Sequence, residues 1–313
     1  MKAVRKVLII KLGYSETLDS EISLTSSLGD VLRTTVVLHH YKSEHVTWLV
    51  DEKVYPLLEG NDYIDRILFF NLPSVLQLQS EIFDTVINFE KVPGICAMAD
   101  STKAWRRFGF RFNGYTGEAE AYDGSEQIFS LCKSSELKKK HRKPWQEVLL
   151  SMVGEKWNEQ GYILGYKPKI NVDCDIGFNW KVGTKWPNKT WAKDNWLRLE
   201  KVINEKTNNT VSWQQGSDDL KIYIDWINSV RLLVTYDSLG LHIALALKKK
   251  VIVLYGPTNS NETYLYSRGK IIYPDVGYDC IPCLEPVCSQ DIPCMDYISP
   301  ETVFDNIVDF IPV

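Results

Sequence analysis

A rhythm of short runs that stay apolar on both sides of the backbone constrains this chain more than any other feature. "KVLIIKL" (6–12), "HVTWLVD" (45–51), "DRILFF" (65–70) and "DTVINFE" (84–90) recur through its first half. A strand with one wet face alternates apolar and polar residues. These runs do not, so each predicts a strand covered on both faces. Between the first two, Leu28, Val31, Leu32 and Val36 have amphipathic helical spacing, and "KVYPLLEG" and "SVLQLQSEIF" fill the next gaps. Strands that alternate with helices imply a parallel sheet.

The rhythm pauses over 125–165, which reads as helical and polar, and "YKPKI" (166–170) reads as a linker. It restarts with "DIGFNW" (175–180), "TVSWQ" (210–214), "RLLVTYD" (231–237), "VIVLYG" (251–256) and "KIIYPD" (270–275) as strands, and "WAKDNWLRLEKVINEK" (191–206) as a helix. A last helix is expected over "SPETVFDNIVDFI" (299–311), with Ser299 as N-cap and Pro300 in the first turn. The expected class is therefore α/β, with two Rossmann-like domains, 1–165 and 166–313, whose parallel sheets face a central cleft. At 313 residues and 44% hydrophobic content the chain can supply two such cores.

A net charge of −4 gives no global field for nucleic acid. The apolar run in "MKAVRKVLIIKL" is too short for a signal peptide, and no window reaches the length of a membrane span. The expectation is a cytoplasmic protein, with contact at the cytoplasmic face of the inner membrane left open.

Candidate chemistry lies where strands end. In "LLVTYDSLGLHIALALKKKVIVLYGPT" (232–258), Asp237 closes a strand and Ser238 opens a helix. The unpaired N–H groups and positive dipole of that helix end suit a diphosphate, with His242 one turn in. The competing reading has Asp237 as a cap and His242 as a core residue. "WKVGTKWPNKTW" (180–191) follows the first strand of the second unit. There Gly183 allows close backbone approach, and Thr184 and Lys189 bring a hydroxyl and a cation to the carboxyl edge of the sheet. A solvated lysine is the plainer fate.

"SLGDVLRT", "GTKWPNKTW", "DSLGLH" and "LYGPT", in this order, resemble glycosyltransferase family 9, the ADP-heptose:lipopolysaccharide heptosyltransferases. The resemblance implies a GT-B fold and an inverting transfer of a sugar, with heptose the first guess. The donor would be a nucleotide sugar (ADP-heptose) and the acceptor a glycan such as a lipopolysaccharide core. Asp30 matches the family's general base, Lys189 the lysine on the donor diphosphate, and Asp237, Ser238 and His242 the D-[TS]-G-x-x-H turn. In that turn Leu239 stands where the family has glycine, and Gly240 follows. No catalytic divalent metal is required on this scheme. A non-catalytic nucleotide- or glycan-binding subunit of the same fold is the alternative, and the absence of G-x-G-x-x-G argues against an oxidoreductase.

A polar insertion at 14–26 precedes Asp30 and reads as an acceptor-recognising loop or as a surface elaboration. Arg106, Arg107 and Arg111 in "WRRFGFRF" are candidates for an anionic glycan or glycolipid acceptor, while "KKKHRK" (138–143) reads as a solvated face. The ten tryptophans fit a sugar binder. Cys96, Cys132 and Cys174 are solitary. Cys280, Cys283, Cys288 and Cys294 form a C-x2-C-x4-C-x5-C pattern that suits a closed structural zinc or iron site, or else four unliganded thiols.

Overall fold

The structure is a computed structural model that describes residues 4–14, 26–216 and 218–311. The chain divides into two compact units: one holds residues 1–138 and 143–166, the other 139–142 and 167–313. Residues 139–142, from the basic run, group with the second unit, where Asn259 Nδ2 donates to the His141 carbonyl at 2.9 Å.

The first unit is built on strands β1 (Lys6–Ile10), β2 (His45–Val50), β3 (Arg66–Phe69), β4 (Ile82–Asn88), β5 (Lys103–Phe112) and β6 (Ala119–Ala121). Their spatial order is β3-β2-β1-β4-β5-β6, parallel throughout except for the antiparallel β5–β6 edge. Leu8, Ile10, Leu49, Phe83 and Val86 are buried beneath Ile95, Met98 and Ala99 of the Pro93–Ser101 helix, which accounts for the unalternating runs. Of the expected helical stretch 125–165, helices form over Glu126–Lys133, Ser135–Lys140 and Trp145–Met152 only.

The second unit comprises β7 (Cys174–Phe178), β8 (Val211–Trp213), β9 (Val230–Tyr236), β10 (Lys250–Leu254) and β11 (Gly269–Ile272). They form an all-parallel sheet in the order β11-β10-β9-β7-β8. Its core is aromatic: Trp196 packs against Phe178, Trp191 and Tyr236 at centroid distances of 5.0, 5.1 and 5.8 Å. The Tyr236 hydroxyl accepts from Trp196 Nε1 at 2.9 Å and donates to the Trp180 carbonyl at 3.1 Å, so its polar end is satisfied within the core. The Pro300–Val308 helix closes this core, and its N-cap Ser299 accepts from the Thr302 N–H at 3.1 Å.

Chain order and spatial order part company once in each sheet. In the first, β1 sits between β2 and β4; in the second, β7 sits between β8 and β9. Crossovers leave in opposite directions at these switch points and open a crevice at the carboxyl ends of the strands, where α/β sheets bind ligands. Among the described residues no helix is long and apolar enough to cross a membrane.

Candidate functional site

At the second unit's switch point, the residues that follow β7 and β9 converge. The 180–190 segment folds into a short turn, Pro187–Lys189, that carries Lys189 back over the end of β9. Lys189 Nζ donates to the Asp237 carbonyl at 2.8 Å and to Asp237 Oδ2 at 2.9 Å, and lies 5.2 Å from the Trp186 ring centre. Its side chain is 12% exposed, so this cation is not a solvated surface charge.

Ser238 occupies the N-cap position of the Leu239–Ala246 helix but makes no side-chain cap bond. Its Oγ instead accepts from Asn179 Nδ2 at 3.1 Å. Asn179, the residue just past β7, is 1% exposed; its Nδ2 also reaches Thr235 Oγ1 at 2.7 Å, and its Oδ1 accepts from the Tyr223 hydroxyl at 2.8 Å. Burial pushes the Tyr223 phenol well above its ordinary range, which keeps it a neutral donor.

This cluster explains why glycine stands at 240. A Cβ built there would come within 2.4 Å of both Asn179 Nδ2 and the Tyr223 hydroxyl. Gly240 thus admits the side chains beneath the helix, whereas Leu239 is half-buried at its first position. His242 is buried one turn in. Gly183 and Thr184 lie exposed at the start of the Lys189 segment, and nothing stands within 4 Å of a Cβ placed on Gly183.

The first unit's switch point holds a buried carboxylate that the sequence did not single out. Glu90, just past β4 and 0% exposed, accepts on Oε1 from the N–H groups of Leu12 at 2.6 Å and Gly13 at 2.8 Å. Lys11 Nζ stands 3.4 Å away. Gly13 O in turn accepts from Ser27 N–H at 2.9 Å, closing the neck that leads to the Leu28–Thr34 helix. Gly13 adopts φ +91°, and a Cβ there would meet Ser27 backbone at 2.8 Å. Asp30 lies in the helix's first turn, where the dipole favours a carboxylate. Arg33 ion-pairs with Asp30 Oδ1 and lies 5.6 Å from the Trp145 ring centre. Ser27, not Asp30, holds the N-cap position. The insertion expected to recognise an acceptor falls mostly on 15–25, outside the described residues. Tyr14, Phe70, Val75, Val92, Ile95 and Met98 line an apolar cavity of about 350 Å³ on the same carboxyl edge.

The structure does not gather the three arginines. Arg106 donates to Thr85 Oγ1 at 3.3 Å and lines a small polar cavity with Arg5, His40 and Tyr41 at the amino ends of the strands. Arg107 Nη1 binds the Ala99 carbonyl at 2.7 Å, and Arg111 Nε pairs with Glu120 at 2.7 Å. Each has an intramolecular partner, because "WRRFGFRF" is part of strand β5 and its side chains alternate across the sheet edge. Trp48, Trp191 and Trp196 are core residues, so these three tryptophans serve packing.

The cysteines share one loop. Cys294 is buried, and its thiol is pushed up to about 11, by burial first and then by Cys283, Cys288 and Cys280. Thiols in such a loop have the donor chemistry for zinc or iron. However, among the described residues no group of three or more His, Cys, Asp or Glu is arranged to hold a metal ion. The closed metal site expected from spacing is therefore not supported.

A family model described as "Glycosyltransferase family 9 (heptosyltransferase)" matches residues 215–292, which contain Asp237, Ser238 and all of Cys280–Cys288. This segment is similar to glycosyltransferase family 9. A lipooligosaccharide heptosyltransferase 2 from Campylobacter jejuni subsp. jejuni serotype O:6 is 30% identical over 79 residues, spanning 24% of this chain and 24% of that protein. Among solved structures, the glycosyl transferase family 9 protein from Veillonella parvula aligns with a TM-score of 0.67 at 16% identity, covering 99% of this chain and 98% of that one. The E. coli heptosyltransferase WaaC with ADP-2-deoxy-2-fluoro heptose aligns at TM-score 0.61 and 14% identity, covering 97% and 99%. The resemblance read from the motifs holds, and the paired α/β sheets are those of GT-B heptosyltransferase structures.

Proposed function

We propose that this family 9 relative is a glycosyltransferase that moves a sugar, heptose as first guess, from a nucleotide-sugar donor to a glycan acceptor. The observation that carries the proposal is the coincidence of the family-matched Asp237–Ser238 turn with a largely enclosed lysine held at the same helix end. The second unit binds the donor. Lys189 and the N–H groups that open the Leu239–Ala246 helix meet the diphosphate, and they stabilise the charge it gains as the sugar leaves. Asp237 holds the lysine in place, while Asn179 orients the Ser238 hydroxyl.

The first unit carries the acceptor chemistry. Asp30 takes the proton from the acceptor hydroxyl as that oxygen attacks the anomeric carbon, and the configuration inverts in a single displacement. Arg33 pairs with the carboxylate, and the Glu90–Gly13–Ser27 contacts fix the helix that presents it. The apolar cavity beside that neck suits the apolar part of a glycolipid acceptor. ADP is the first nucleotide to test, because the WaaC structure holds an ADP-linked heptose analogue. On this reading the transfer takes place in the cytoplasm or at the cytoplasmic face of the inner membrane.

Calorimetry against ADP, GDP, UDP, CDP and NAD tests the donor assignment. Preference for ADP supports heptose, and preference for another nucleoside diphosphate keeps the transferase and discards heptose. Binding to none would favour a non-catalytic subunit.

A further inference from the structure

The cysteine loop has no part in the chemistry above, yet its contacts lead to the donor site. Asn188, next to Lys189, is 7% exposed. Its N–H donates to the Pro286 carbonyl at 3.0 Å and its Nδ2 to the Glu285 carbonyl at 3.0 Å, with Cys283 Sγ at 3.5 Å. From the same loop, Leu284 N–H donates to the Pro257 carbonyl at 2.8 Å. Gly256 packs so closely under it that a Cβ would stand 2.7 Å from Met295 Sδ and 2.8 Å from Cys294 Sγ. One loop therefore grips two neighbouring segments: the turn that bears Lys189 and the Gly256–Pro257 exit of β10.

We propose that the 280–294 loop is a brace for the donor site and that Asn188 is the positioning residue through which it places Lys189. This rests on the donor reading given above. A lysine is a point charge on a flexible stem, so its ammonium is localised only if its backbone is. The Pro187–Lys189 turn is three residues long and has few bonds of its own, the Lys189 N–H to Trp186 O at 3.1 Å and the Thr190 N–H to Pro187 O at 3.0 Å. The bonds from Asn188 to 285–286 supply the outside anchorage. A shift of about 1 Å in a group that meets a reacting phosphate costs as much as 100-fold in rate.

The brace is tested without nucleotide by amide hydrogen exchange on Asn188→Ala. Residues 183–190 and 283–287 should both exchange about tenfold faster, the effect of one lost hydrogen bond, while the Lys193–Lys206 helix is unchanged. Unchanged exchange in both loops overturns the brace. Calorimetry with ADP and inorganic pyrophosphate then tests the positioning role. Asn188→Ala should weaken both by about tenfold, and Asn188→Ser, which keeps a side-chain donor, should recover part of the loss. In a Lys189→Ala background the same substitution should weaken binding no further. An additive loss there, or none in the native background, overturns the role assigned to Asn188. Failure of the wild-type protein to bind either probe removes the donor reading and the positioning role with it, and the brace is then judged by exchange alone.

Discussion

Lys189 is held between a carbonyl, a carboxylate and an indole face. A diphosphate entering at the Ser238 helix end would add its own oxygens to that set. Charge-assisted hydrogen bonds contribute about 1.5–3 kcal/mol each, so Lys189→Ala should weaken ADP by roughly 10- to 100-fold in calorimetry. Asp30→Asn should lower turnover by about 10²- to 10⁴-fold, the usual contribution of a general base, and leave ADP affinity as it was. Unchanged transfer in that variant would remove Asp30 from the mechanism. Gly240→Ala drives a methyl group into Asn179 and Tyr223, and overpacking of this kind costs about 1–3 kcal/mol. The variant should melt several degrees lower. Asp30, Lys189, Asp237 and Ser238 could be put forward from the sequence because each sits in one of the four ordered motifs. Asn179, Tyr223 and Glu90 were not. Their roles arise only when β7 is placed beside β9 and β1 beside β4, adjacencies that span some 56 and 78 positions of chain.

At the scale of elements, the neck at Gly13 and Ser27 is the device that fixes Asp30. Glu90→Ala would leave two buried N–H groups unpaired and Lys11 without its counter-charge. Breaking such a buried pair costs about 3–5 kcal/mol, which a lowered urea midpoint would report. The segment at Thr35–His40 carries a pH dependence. His39 Nε2 lies 2.9 Å from the Gly161 carbonyl, and burial holds the imidazole below its ordinary value of 6.5. The unfolded chain therefore binds the proton more readily than the fold does. Stability is complete above about pH 6.5 and falls as the pH drops towards the lower folded value. The urea midpoint should fall between pH 7.5 and pH 5.5, and His39→Gln should shrink that fall. The strands that read as doubly buried runs are present, because burial on both faces leaves an unmistakable composition. β5 escaped notice because its arginines interrupt the apolar pattern, although each turns back onto the protein. The cysteine spacing matches a metal knuckle, yet among the described residues no group of three or more ligands is arranged to hold a metal ion, and the role proposed above for the loop rests on its contacts instead.

For the molecule as a whole, sequence order and sheet order together account for the placement of chemistry. Each unit puts its candidate side chains at the carboxyl ends of the strands that flank its switch point, β1 and β4 in one and β7 and β9 in the other. The alternation of strands and helices announced two such units; the strand orders, and hence the locations of the crevices, required the structure. The central claim is that the second unit binds a nucleoside diphosphate at Asp237, Ser238 and Lys189. It is tested most directly by titrating ADP into the wild-type protein and into Lys189→Ala in one calorimetric experiment. The account predicts saturable binding to the wild type and a loss of about tenfold or more in the variant. Equal affinity in the two proteins would contradict it.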